Sequence, residues 1–178
     1  MKFADFRQWQ KLTQRQALPT AVYRRVAEGF VNRLAASCGN FKGGALVNNK
    51  KLGNDFEAQL CEILFEEGFW CHNLAQNQAG QPADVIAVKN GKAYLIDCKV
   101  CSTSRFALSR MEDNQDLSME HWKDCGNDDG WFAILLRNNA IHMIPHFAVR
   151  EMAKRRSSIG EQEICDKTLS LVEWLKLT

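Results

Sequence analysis

The nine residues KAYLIDCKV at 92–100 alternate sides if the segment is a strand. Asp97 and Lys99 then share one face, while Ile96, Cys98 and Val100 share the other. An acid beside a lysine among apolar neighbours fits an ion pair on an exposed sheet face. It also fits a reaction centre. The preceding segment, QPADVIAV, is followed after Lys89 by Asn90-Gly91, the strongest short-range signal of a two-residue hairpin. A turn centred there sets Asp84 opposite Asp97. Two carboxylates directly opposite repel each other, and a divalent cation between them removes that cost. Carboxylates, a backbone carbonyl and water suit Mg²⁺. Mn²⁺ is the expected substitute, and the carbonyl of Cys98 is the expected further ligand. Glu57, on a helix before the hairpin, supplies a third carboxylate or is merely a solvated first-turn acid favoured by the helix dipole.

These residues need a scaffold, and the pattern of the chain supplies one. A helix is expected from Asn54 or Asp55 to about residue 67, with Phe56, Leu60, Ile63 and Leu64 facing the core and Gly68 stopping it. Strands are expected near 69–74, 83–89 and 92–100. A polar helix follows over 111–124, then strands over 131–137 and 140–144. Pro145 begins another helix, and a C-terminal helix is expected over 167–177. The order is helix, three strands, helix, strand, strand. That predicts an α/β fold, a mixed β-sheet flanked by helices on both faces. Thr20 is a candidate cap for a helix over 21–37, with an apolar stripe of Val22, Val26, Phe30 and Leu34. A loop rich in Gly and Asn spans 39–54.

Glu57, then Pro82-Ala83-Asp84, then Asp97-Cys98-Lys99 resembles the PD-(D/E)xK nuclease superfamily. The helix running through 111–124 and the strand after it are similar to those of RecU-type Holliday junction resolvases. Gln115 matches the Gln that belongs to the metal site in that family. The resemblance covers roughly residues 48–144. It implies a restriction-endonuclease-like core, α-β-β-β-α-β, over 46–178, with a basic N-terminal helical extension over 1–45. It implies metal-dependent hydrolysis of a phosphodiester in four-way DNA junctions. Asp84 and Asp97 would hold metal, with Glu57 and Gln115 beside them and Lys99 acting on the attacking water or the transition state. A resolvase cuts two strands symmetrically, which implies a homodimer. The family places a Thr two residues before its first Asp as a metal ligand, and here that position is Pro82. The span between Glu57 and Asp84 is also too short for a RecU stalk, which suggests a compact, phage-type relative.

Charge supports a polyanionic partner. The 178 residues carry a net charge of only +2, unevenly spread. Residues 1–51 hold ten Lys/Arg against two Asp/Glu, and residues 52–149 hold seven against fourteen. Arg24, Arg25, Arg33, Lys42, Lys50 and Lys51 are the expected contacts to DNA phosphates. Trp9 and Phe41 are candidates to stack on bases, although packing on the core is the more ordinary role for such residues. A 46% hydrophobic, 25% charged composition excludes disordered, collagen-like and coiled-coil chains. No stretch reaches the roughly 20 apolar residues of a membrane span, and no secretory signal is visible. Seven cysteines, an odd number without framework spacing, point to free thiols in the cytoplasm.

Other chemistry is weakly encoded. Cys98 and Cys101 form a CxxC, but three residues apart on a strand the two sulfurs face opposite ways. No HExxH, Walker or GxSxG pattern is present. Two alternatives stand beside the resolvase: another PD-(D/E)xK nuclease of restriction, repair or flap type, and a DNA-binding protein whose site has decayed.

Overall fold

The computed structural model describes residues 49–74 and 82–178. The expected N-terminal extension, its boundary at residues 45 and 46, Trp9, Arg24, Arg25, Arg33, Phe41 and Lys42 lie outside the described residues. Helix α1 (Asn49–Glu66) leads into strand β1 (Trp70–Asn73). Gly68, at φ +85°, makes the left-handed exit that ends the helix, and the Phe69 N–H returns to the Leu64 carbonyl at 2.9 Å. The helix begins earlier than expected, because Gly53 lies inside it rather than in a loop.

Strands β2 (Val85–Lys89) and β3 (Lys92–Val100) form the expected hairpin. Asn90 and Gly91 both take positive φ, 52° and 73°, as this two-residue turn requires. Val85 pairs with Ile96, the register that the centred turn predicts. Strand β4 (Arg105–Ala107) and a 3₁₀ turn (Leu108–Arg110) lead to helix α2 (Asp113–Asp124). Then follow β5 (Trp131–Leu135), β6 (Ile141–Pro145), α3 (His146–Ala153), β7 (Ser158–Gly160), α4 (Glu161–Lys167), β8 (Leu169–Ser170) and α5 (Leu171–Leu175). The main sheet runs β1-β2-β3-β5-β6-β8, and β4 pairs with β7 in a separate ribbon. Among the described residues, β3 and β5 are the one parallel pair within the main sheet, so it is mixed, as expected.

Two apolar layers sandwich this sheet. Phe56, Leu60 and Leu64 of α1 pack with Val85, Ile96, Ala133 and Trp174 on one face. Met119 of α2 packs with Leu95, Phe132, Ile134, Ile144 and Val149 on the other. Residues alternate between these layers along β3, which is why the tetrad Leu95-Ile96-Asp97-Cys98 splits two and two. Gly130 permits the close seat of α2, since a Cβ there would lie 2.9 Å from Met119 Cγ.

The continuous C-terminal helix expected over 167–177 is not formed. Thr168 is extended, at φ −125° and ψ 165°, and β8 intervenes. The chain restarts as α5 with Ser170 as N-cap, accepting the Glu173 N–H at 3.3 Å. The buried His142–Thr168 contact, 3.0 Å, holds the break against β6. Among the described residues no helix is long and apolar enough to cross a membrane.

Candidate active site

Asp97 lies on the α2 face of β3 with none of its surface exposed. Lys99, two residues on and 9% exposed, points the same way. Its Nζ is 2.7 Å from Asp97 Oδ2. Asp97 Oδ1 has no hydrogen-bond partner, and the lysine meets Oδ2 as a charge contact outside hydrogen-bond geometry. Burial pushes the Asp97 carboxyl up to about 7; Lys99 opposes the rise and Asp84 adds to it.

Asp84 stands just before β2, where the strand pairing ends. Its N–H donates to the Ile96 carbonyl at 3.1 Å. Cys98 points its main chain towards the same edge, beyond the last β2 residue. The open N–H of Cys98 donates to Asp84 Oδ2 at 2.6 Å. The Cys98 carbonyl leaves the strand on that edge too, because a residue's N–H and C=O share a side. Burial raises the Asp84 carboxyl above its usual range, against the pull of the Cys98 N–H and Lys99.

Glu57 reaches the site from the third turn of α1. Burial raises its carboxyl, and the charge of Asp84 adds to that. Asn73, at the end of β1, donates to Glu57 Oε2 at 3.4 Å. Gln115 sits in the first turn of α2, 8% exposed. Its Oε1 accepts the Glu112 N–H at 3.2 Å, half of a capping box. Helix α2 is held from behind by His146, whose Nε2 lies 2.6 Å from Asp116 Oδ1, and by Arg150. Lys50 and Lys51, in the first turn of α1, are exposed.

Asp84, Asp97 and Lys99 are therefore brought together by the hairpin, with Glu57 within electrostatic reach. Two contributors were not anticipated. Asn73 steadies Glu57, and the Glu112 carboxylate raises the carboxyls of both Asp84 and Asp97. Glu112 announces itself in the sequence only as the E of an E-x-x-Q box, a capping signal. Cys98 and Cys101 face opposite layers of the core, and both are free thiols. The CxxC is thus neither a disulfide nor a zinc pair.

Among the described residues no three acidic, histidine or cysteine side chains converge closely enough to hold a metal unaided. What the site offers is a mixed donor set: two carboxylates, one of them with a buried oxygen that has no hydrogen-bond partner, and the Cys98 carbonyl. That set fits a hard divalent cation. A buried carboxylate oxygen without a partner is costly unless something binds it. Pro82 is exposed and brings no side-chain oxygen.

Residues 48–178 match the family model of the archaeal Holliday junction resolvases, Hjc. Among curated proteins none matches the chain. The solved structure of Hjc, a Holliday junction resolvase from the archaeal hyperthermophile Archaeoglobus fulgidus, is similar in fold. The match spans 69% of this chain and 99% of that one, with a TM-score of 0.55 at 20% identity.

Proposed function

This chain belongs to the archaeal Holliday junction resolvase family, within the PD-(D/E)xK superfamily, and from that premise we propose that it is a divalent-metal-dependent endonuclease resolving four-way DNA junctions. The observation that carries the metal assignment is the orphaned Oδ1 of Asp97, buried beside a second carboxylate and a lysine. Asp84, Asp97 and the Cys98 carbonyl would hold Mg²⁺, or Mn²⁺ in its place, with Glu57 and Gln115 beside them. The ion, when bound, lowers the pKa of a coordinated water and offsets charge growing on the phosphate oxygens.

The chain's own groups do the remaining work. Asp97 keeps Lys99 in place at 2.7 Å. Lys99 presents an ammonium at the same face and stabilises negative charge on the phosphoryl group, or orients the nucleophile. Asp84, tied to the Cys98 N–H, is fixed against the strand end rather than free to swing. Glu57 carries a raised carboxyl and is the group best placed to accept or relay a proton at the site's edge.

The finer kinship to RecU-type enzymes rests on Gln115, seated in the first turn of the helix that overlies the site. Two symmetric cuts require two sites, so a homodimer is the working assembly. The exposed Lys50 and Lys51, together with Arg24, Arg25, Arg33 and Lys42, hold phosphates and make binding salt-dependent. A cytoplasmic location accords with DNA as the substrate. The test is cleavage of a four-way junction compared with duplex and flap DNA, with Mg²⁺ and with chelator. Paired symmetric nicks confined to the junction are expected. Cleavage of flap or duplex instead would reassign the same site to another nuclease type.

A further inference from the structure

The 3₁₀ turn before α2 ends in Arg110, an exposed arginine whose partners are a carbonyl and a ring. Its Nη1 donates to the Val100 carbonyl at 2.5 Å. Its guanidinium lies over the Phe106 ring, 5.5 Å from the centroid. Phe106 belongs to the α2 layer, together with Leu95 and Cys101, which share the Asp97 face of the chain. The charge of Arg110 also reaches the Cys101 thiol. Arg110 therefore stands on the catalytic side of the sheet. The turn beneath it is fixed. Leu108 is buried, its N–H donates to the Ser157 carbonyl at 2.8 Å, and the Met111 N–H returns to the Leu108 carbonyl at 3.2 Å.

Strand alternation places this arginine relative to the site. The Ile96 carbonyl accepts the Asp84 N–H, and the Cys101 N–H donates to Leu135 on the other side. The main-chain groups of Ile96, Cys98 and Val100 thus all point to the β2 side of β3. The carbonyls of Cys98 and Val100 are successive on that edge, about 7 Å apart. The first is the expected metal ligand, and the second holds Arg110. Lys99, the residue between, presents its ammonium on the catalytic face. Arg137, Arg150 and Arg156 are each paired with a carboxylate. Among the described residues no carboxylate pairs with Arg110. A carbonyl fixes a guanidinium without cancelling its charge, and leaves its other N–H groups to meet an anion.

Resting on the junction-nuclease reading, we propose that Arg110 binds the DNA phosphate next to the one being cut, on the same strand. The offset of about 7 Å between the two carbonyls is close to the spacing of successive phosphates along a strand. The scissile phosphate then lies at the Asp84–Asp97 row and its neighbour at the guanidinium. Such a contact reads no base; it sets which phosphodiester lies over the site. The alternative role, a clip that only pins the end of β3 to the turn, is an outcome of the test.

Full-length protein is titrated in EDTA with four-way junctions in which a single neutral methylphosphonate is walked along the strands near the crossover. Cleavage is followed separately in Mg²⁺. Two variants separate the roles. Arg110→Gln keeps an N–H donor for the Val100 carbonyl and removes the charge, while Arg110→Lys keeps the charge. Wild type should bind about tenfold more weakly when the contacted phosphate is neutral. Arg110→Gln should bind the unmodified junction about tenfold more weakly and be indifferent to the methylphosphonate at that one position. Its slope of log affinity against log salt should be shallower by about 1. Arg110→Lys should restore most of that slope. An Arg110→Gln protein that responds to every methylphosphonate as wild type does, with the wild-type salt slope, would overturn the contact and leave only the clip. That result stands even where wild type cuts junctions normally. A wild type that shows the Arg110-dependent interference but cuts nothing in Mg²⁺ would overturn the nuclease reading and support the phosphate contact.

Discussion

Lys99 Nζ lies 2.7 Å from one oxygen of Asp97, and the other oxygen of that wholly buried carboxylate has no hydrogen-bond partner. Half of the group is occupied and half is open. A carboxylate in that state costs folding free energy without a ligand and releases it with one.

Stability should record that cost. Asp97 titrates at about 7 in the fold against an ordinary 3.8. Between those values the folded protein keeps a proton that the unfolded chain has lost. Asp97 therefore makes metal-free protein less stable as pH rises from about 4 to about 7. His142, pushed down to about 4 by burial, acts with the opposite sign below its ordinary 6.5. Comparing Asp97→Asn with wild type cancels the His142 contribution. In chelator, urea unfolding should show the variant more stable than wild type at pH 8, by on the order of 2–4 kcal/mol. The gap should close towards pH 5. Lys99→Ala should do the reverse, losing stability chiefly above pH 7, where it strands a buried charge.

Metal binding should appear without any DNA. Mg²⁺ or Mn²⁺ should raise the melting temperature of wild type, and more so at pH 8 than at pH 6, where protons compete for Asp97. Asp97→Asn should abolish the rise. Asp84→Asn should weaken it strongly yet fold normally, because the amide oxygen still accepts the Cys98 N–H. Asp84→Ala leaves that N–H without its acceptor and should cost about 1–3 kcal/mol of stability as well. Calorimetric titration separates the two effects.

The hairpin was legible in the sequence because its signals agree. Asn90-Gly91 specifies a turn with two positive φ angles, and that turn alone sets the 85–96 register and aligns Asp84 with Asp97. Alternation then assigns Asp97 and Lys99 to one face. Gly68 stops α1 as expected, for the same local reason. The rest lacked such agreement. Strands β7 and β8 are three and two residues long, too short to show a period. The apolar spacing of Leu171, Val172 and Leu175 continues a helical pattern across Thr168, so only tertiary pairing with β6 reveals the break. Gly53 argued for a loop, yet α1 carries it, because packing of the following turns outweighs roughly 1 kcal/mol of propensity. Asn73 and Glu112 entered the site through strand pairing and helix capping, which no local spacing announces.

The cysteines give a negative control with content. Cys98 contributes main-chain atoms to the site, and its sulfur faces the α1 layer while that of Cys101 faces the α2 layer. Cys98→Ala and Cys101→Ala should both keep metal binding and junction cleavage near wild type, with stability lowered by about 1 kcal/mol or less. Thiol oxidants should form no 98–101 disulfide, which mass spectrometry of the peptides reads directly.

The most direct measurement is cleavage of a labelled four-way junction in Mg²⁺ by wild type, Asp97→Asn and Lys99→Ala, each shown folded and each assayed for junction binding in EDTA. Wild type should make paired, symmetric nicks. Both variants should bind the junction and lose at least about 100-fold in rate. Cleavage that survives Asp97→Asn, or that continues undiminished in EDTA, would contradict the metal-dependent site assigned to this hairpin.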